Sequence, residues 1–209
     1  MDQPALTLGP LDPRHRERAK RAERADAARN RQILLATARE MLAEQGADQI
    51  TMDGLAERAG LGKGTVFRRF GTRAGIFQAL LDDDERDFQQ RVLSGPPPLG
   101  PGAAPLERLI AYGRARIDFL TEHHEIARAA LDGSQQVPAG AQTPMSQVQI
   151  RYLLREMRLA ADVDVLALQL TAALDGPLLL YLSGTEKTTQ TCERLRHGWE
   201  DLIRRVCRS

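Results

Sequence analysis

Residues 51–77 read TMDGLAERAGLGKGTVFRRFGTRAGIF. Thr51 stands just ahead of a short run with Leu55, Ala56 and Ala59 on its inner face, the pattern of a helix opened by a hydroxyl cap. Gly60 breaks that helix where the chain must turn sharply. A second run, from about Lys63 to Phe70, places Val66 and Phe70 as a buried pair, and Gly71 stops it. The two runs are separated by Ala59-Gly60-Leu61-Gly62; the small Ala56 allows close approach, and Leu55, Leu61 and Val66 fill the angle between them. This arrangement is that of a helix-turn-helix, although a plain helical hairpin uses the same turn. In a helix-turn-helix the second helix enters the DNA major groove. Its exposed side chains here are expected to be Lys63, Thr65, Arg68 and Arg69, all able to donate to phosphates or base edges.

Upstream, Ile33, Leu34, Ala38, Met41 and Leu42 recur at helical spacing and predict a first amphipathic helix from about Ala27 to Glu44, ended by Gly46. From Arg14 to Arg31, running into the start of this helix, comes a basic run with Arg14, Arg16, Arg18, Lys20, Arg21, Arg24, Arg29 and Arg31 against Glu17, Glu23 and Asp26. Such a run is either a solvated arm or a frayed helix start, and beside a DNA-reading motif it is a candidate phosphate- or minor-groove-contacting arm. Pro4, Gly9, Pro10 and Pro13 mark residues 1–13 as disordered. Residues 1–26 are therefore expected to form a flexible basic arm, 27–80 the DNA-binding domain and 81–209 a helical body for ligand binding and dimerisation. Charge divides the same way. Residues 14–79 carry an excess of six positive charges and residues 80–209 an excess of three negative ones, although the whole chain sums to +1. A basic head on an acidic body points to a polyanion partner for the head alone, which argues against a nonspecific architectural DNA binder.

The segment resembles the DNA-binding domain of the TetR/AcrR family of bacterial regulators. The family pattern, after a first helix, is T-x-x-x-I/L-A-x-x-A-G-V-S-x-G-T/S-L/V-Y-x-H/Y-F-x-S/N-K-x-x-L/F. This chain matches it with Thr51, Leu55, Ala56, Ala59, Gly60, Gly64, Thr65, Val66, Phe70 and Phe77 at the family spacing. The motif covers about residues 27–80; beyond it the likeness is one of helix number and chain length. Gly62 departs from the usual serine at the start of the second helix and Phe67 from the usual tyrosine, whose hydroxyl meets a phosphate. Arg69 departs from histidine or tyrosine, and Arg73 stands where lysine is common. The resemblance implies a DNA-binding set of Thr51, Gly62, Lys63, Gly64, Thr65, Phe67, Arg68, Arg69 and Arg73. Thr51, Lys63, Thr65 and Arg73 would position phosphates, and Lys63, Thr65 and Arg68 would read bases.

Downstream, Thr72 caps a longer fourth helix opened by Ile76, Phe77, Leu80 and Leu81. Ser94 to Pro105, SGPPPLGPGAAP, predicts a mobile connection. Further helices are expected over residues 106–120, Glu125 to Leu131, Met145 to Leu159, Asp164 to Leu182 and Gln190 to Val206, with Gln135 to Thr143 a loop. No run alternates with period two, so the chain is all-α: a three-helix head followed by a helical bundle, about nine helices in all. The helix 164–182 is apolar on nearly every face, with Val165, Leu166, Leu168, Leu170, Leu174, Leu178, Leu179, Leu180 and Leu182. Such a helix needs cover on both sides. It is either central within one chain or shared with a partner, and the resemblance implies a homodimer through helices 164–182 and 190–206. Two heads in a dimer would demand a palindromic double-stranded operator. Candidate ligand contacts in the body are Tyr112, Phe119, His123, Tyr152, Met157 and Asp175; Tyr112 and Phe119 equally suit a core stripe. Asp175 is the most suggestive, since a carboxylate in an apolar helix must find a partner.

No export signal appears at the N-terminus, and the charges in residues 163–182 argue against a membrane span, so a cytoplasmic protein is expected. Cys192 and Cys207 read as free thiols. There is no phosphate loop, nucleophile elbow or carboxylate dyad, and adjacent His123 and His124 make a poor metal pair; no enzyme, cofactor or metal is expected. The resemblance implies a repressor released when a small-molecule effector moves the fourth helix and respaces the two heads. A regulator of this type with no small-molecule effector, controlled by a protein partner or constitutive, is the alternative.

Overall fold

The structure, a computed structural model, describes residues 13–131, 145–182 and 189–208. The expectations for residues 1–12 and for the 135–143 loop lie outside the described residues. Within them the chain is all-α as read, with nine helices, one 3-10 turn and no strand. None of these helices is long and apolar enough to cross a membrane. Internal contacts divide the chain into a unit ending at Gly71 and a second beginning at Thr72.

In the first unit, α1 spans Pro13–Gln45, starting well upstream of the Ala27 that apolar periodicity indicates. The residues described from Glu17 to Arg29 are exposed and so form no buried stripe. The composition of that stretch, Ala with Arg and Glu, favours the helix through propensity and spaced charges. Leu34, Leu35, Ala38 and Met41 then turn inward to a small core shared with Ile50, Leu55, Ala56, Val66 and Phe70. Gly46 leaves α1 at φ 77°, and a 3-10 turn, Ala47–Gln49, leads to α2, Met52–Arg58.

The turn after α2 follows from local chemistry. Gly60 takes φ 66°, its N–H donates to the Glu57 carbonyl at 3.1 Å, and Leu61 N–H donates to the Ala56 carbonyl at 3.0 Å. This paired closure needs a left-handed residue, which is why glycine sits there. Arg58 forks onto both carboxylate oxygens of Glu44 at 2.5 and 2.6 Å, fastening α2 to the end of α1; that hydrogen bond holds the Glu44 carboxyl below the usual range. The next helix, α3, spans Lys63–Phe70 and ends at Gly71.

The second unit opens with α4, Arg73–Ser94, whose first turn is closed by Gly75 N–H donating to the Thr72 hydroxyl at 3.1 Å. The segment expected as a mobile connection is instead a closed-up turn. Gly100 N–H donates to the Pro96 carbonyl at 3.0 Å, and its Cα lies so near Gly95 that an added Cβ would stand 1.8 Å from the Gly95 carbonyl oxygen. Leu99 packs onto the core and anchors the turn. Helices α5, Pro105–Glu122, α6, His124–Ala130, α7, Met145–Glu156, α8, Val163–Leu182, and α9, Thr189–Val206, follow within a few residues of the expected bounds. Arg155 and Arg151 both reach Asp164, at 3.2 and 3.7 Å, which pairs the end of α7 with the start of α8. One core joins Phe88, Leu109, Tyr112, Ile117, Leu153, Leu170, Leu174, Trp199 and Ile203 from α4, α5, α7, α8 and α9. The expected apolar residues at 178–182 lie outside the residues whose side chains are described.

Trp199 marks the closest seam in this core. Its indole Nε1–H donates to the Leu109 carbonyl at 3.2 Å, and its ring lies directly over Gly113. Arg196 with Asp118, and Arg114 with Glu200 at 3.3 Å, extend the same α5–α9 seam with ion pairs.

Candidate nucleic-acid interface

The exposed face of α3 is built from the ends of the helix inward. Thr51 caps α2 by accepting the Gly54 N–H at 3.0 Å, so its hydroxyl donor stays free to point outward from an exposed position. Gly62 is the N-cap of α3 and makes no side-chain cap; its carbonyl accepts Thr65 N–H at 2.8 Å. The first-turn amides of α3 therefore have no side chain of their own in front of them, an electropositive end suited to an anion. Gly62, Lys63, Gly64, Phe67, Arg68 and Arg69 are exposed, Thr65 is half-buried, and Val66 and Phe70 are buried. The side chains expected to donate to DNA thus share the outer surface of α3, and the two apolar ones secure it from beneath.

The geometry adds two features that sequence reasoning missed. Lys63 Nζ lies 2.8 Å from Asp53 Oδ2, so a carboxylate from α2 holds a candidate DNA contact in the free protein. Ten residues separate the two, and only the folded turn brings them together. Both ends are well exposed, so this pair is worth under about 1 kcal/mol and a phosphate can compete with it. Asp53→Asn is expected to raise affinity for duplex DNA several-fold at low salt, with the gain shrinking as salt rises. An unchanged or weaker affinity by fluorescence anisotropy would contradict this role. Second, α1 runs beside α3. A hollow of about 440 Å³ is lined by Glu23, Asp26, Asn30 and Arg31 of α1 with Thr65, Arg68 and Arg69 of α3. Arg69 Nη2 reaches the Ala27 carbonyl at 3.5 Å across it. Arg73, at the start of α4, is half-buried with its guanidinium 4.9 Å from the Phe77 ring centre.

In the body, the structure brings three of the six candidate ligand contacts into one aromatic chain. The Phe88 ring centre lies 5.8 Å from that of Tyr112 and 5.3 Å from that of Phe119, which stacks on His123 at 4.3 Å. Tyr112, 2% exposed, donates to the Ser146 hydroxyl at 2.8 Å, and burial pushes its phenol up to about 12. His123 also lies 3.3 Å from Asp84, beside a hollow of about 290 Å³ between α4 and α5. Asp175 is half-buried, and its carboxyl is raised by burial, with Arg116 acting the other way and Glu85 with it. Met157 packs at the edge of the core. Tyr152 stands apart, 49% exposed on a face of α7 with Met145 and Val148. The residue missed here is Arg116. It pairs with Glu85 at 2.6 Å, its guanidinium lies 5.1 Å from the Phe119 ring centre, and its Nε has no hydrogen-bond partner among the described residues.

Comparison with known proteins agrees with this geometry. Residues 34–80 match the family model for bacterial regulatory proteins of the tetR family. Over 68 residues the chain is 40% identical to an HTH-type transcriptional regulator of Staphylococcus aureus, a match covering 32% of this chain and 35% of that protein. The likeness thus spans about a third of that relative. A TetR-family transcriptional regulator from Pectobacterium atrosepticum shares the fold with a TM-score of 0.68 at 22% identity, over 88% of this chain and 96% of that one. The SmeT–triclosan complex aligns with a TM-score of 0.53 at 19% identity, over 84% of this chain and 90% of that one. Residues 34–80 thus carry the motif of the tetR family of bacterial regulatory proteins, and the chain shares its fold with a solved TetR-family regulator.

Proposed function

We propose that the protein is a homodimeric repressor that binds a palindromic operator in the cytoplasm and releases it when a small molecule occupies the body. The observation that carries the DNA reading is α3 itself, a helix anchored by Val66 and Phe70 that exposes Lys63, Arg68 and Arg69 beside an uncapped N-terminus. Basic residues of α1, among them Arg31 in the hollow beside α3, would add phosphate contacts outside the reading helix.

Dimerisation through α8 and α9 is supported by the apolar surface they leave uncovered. Val165 and Leu168 on α8 are 49% and 57% exposed, and Leu202 and Val206 on α9 are also exposed. Leu168→Glu is expected to give a monomer by light scattering with an unchanged helical spectrum, and to weaken operator binding at least about a hundredfold, because each head then binds alone. A variant that stays dimeric would place the interface elsewhere.

An effector in the body is supported by SmeT, a protein of the same fold in complex with triclosan. Asp175, Arg116 and Glu85 are the polar groups that such a molecule would meet beside the aromatic chain. The effector must favour the released state, and it can weaken DNA binding only by that preference. The close burial of Tyr112 and Phe119 in the core favours the second reading, a regulator without a small-molecule effector.

Asp175 distinguishes them. Its raised carboxyl means that the folded chain holds the proton more tightly than the unfolded chain. The resulting stability is present below the unfolded pKa and is lost as pH rises through the folded one. Asp175→Asn is therefore expected to raise Tm at neutral pH by about 2–4 °C, with the gain disappearing in acid. A gain independent of pH would contradict the argument. In an effector-responsive protein the same change blunts release from the operator; in an effector-free one it leaves DNA binding untouched.

A further inference from the structure

We infer that Phe67 reads the 5-methyl group of a thymine in each half-site, received in the notch between its ring and Gly64 on the same face of α3. This rests on the DNA-binding reading above. Phe67 is 48% exposed, the one large apolar side chain on a surface otherwise made of Lys63, Arg68 and Arg69. It lies three residues after Gly64 and four after Lys63, so the three share a helical stripe. Gly64 has an ordinary helical backbone, and a Cβ added there would meet nothing within 4 Å. The fold thus gives no reason for glycine, which weakens a helix relative to alanine. The bare backbone leaves open space beside the ring.

Apart from the small ring C–H groups, which offer far less surface, every group on the major-groove edge of a base pair is a donor or acceptor except the thymine methyl. A phenyl ring pressed on any of the others would strip water from it and return no hydrogen bond. An apolar ring beside an open notch therefore selects thymine, and it does so with no polar atom of its own. The hydroxyl that a tyrosine would offer a phosphate is missing, which leaves the ring itself as the contact this side chain makes.

The test uses the full-length protein and the duplex it selects from a randomised library. Each symmetric thymine pair is replaced in turn by deoxyuridine, which lacks only the methyl, and Kd is measured for the wild type, Phe67→Ala and Phe67→Tyr. The wild type is expected to lose about fourfold per half-site at one thymine position. Phe67→Tyr keeps that loss, and Phe67→Ala binds the thymine and deoxyuridine duplexes alike. Phe67 is half exposed, so the alanine variant should melt as the wild type does. A wild type that selects a duplex yet ignores deoxyuridine everywhere would overturn the inference and leave the regulator reading standing. So would a Phe67→Ala protein that still distinguishes the two bases. Failure to select any duplex would overturn both.

Discussion

Gly113→Ala is expected to lower the melting temperature by about 5–10 °C, a large effect for one added methyl. The Cβ would fall 2.0 Å from two ring atoms of Trp199, a separation no packed pair tolerates. Alanine is the better helix former by about 1 kcal/mol, so propensity alone predicts the opposite sign. Packing wins because the indole is 4% exposed and wedged between α5 and α9. Overpacking of this kind costs about 1–3 kcal/mol, and displacing the ring also breaks the Nε1–H bond to the Leu109 carbonyl, worth about 1 kcal/mol more. Trp199 is the single tryptophan of the chain, so its fluorescence should shift to longer wavelength in the variant. Combining Gly113→Ala with Trp199→Leu, which makes room for the methyl, should recover part of the loss. A melting temperature at or above the wild-type value would show that α5 and α9 do not meet as described.

The second large effect concerns the head. Lys63→Ala combined with Arg68→Ala should weaken operator binding at least about a hundredfold near 0.1–0.2 M salt. Two cations vanish from each head and so four from the proposed dimer, which should flatten the dependence of log K on log salt by about four. Stability should hardly change. Both side chains are exposed, and the Lys63–Asp53 pair contributes under about 1 kcal/mol. Unchanged affinity with an intact fold would remove α3 from the reading role.

Much of the head was legible in the sequence because its signals are local. Thr51 and Thr72 cap within three residues, and Gly60 and Gly71 take positive φ where the chain turns. What escaped depends on contacts across the sequence or on the lack of a buried stripe. The start of α1 at Pro13 was hidden because the residues described from Glu17 to Arg29 are exposed, so periodicity has no signal there. The turn after α4 looks like an open linker in composition, yet Gly100 closes on Gly95 and Leu99 reaches the core. In the body, an aromatic stripe on α5 was visible, but its extension to Phe88 on α4 and the Arg116–Glu85 pair needed the fold. Tyr152, equally plausible by residue type, lies on the outer face of α7, a distinction that spacing within one helix does not make when both faces carry apolar residues. Lys63 and Asp53 are neighbours only after the turn forms.

The most direct test of the account is a salt-dependent binding titration of the purified protein against the duplex upstream of its own gene, with a scrambled duplex as control. The account predicts tight binding to the former, two protomers per site, and a steep loss of affinity with salt. Selective binding that survives the Lys63→Ala, Arg68→Ala double substitution, or equal weak binding to every duplex tried, including those selected from a random library, would contradict it.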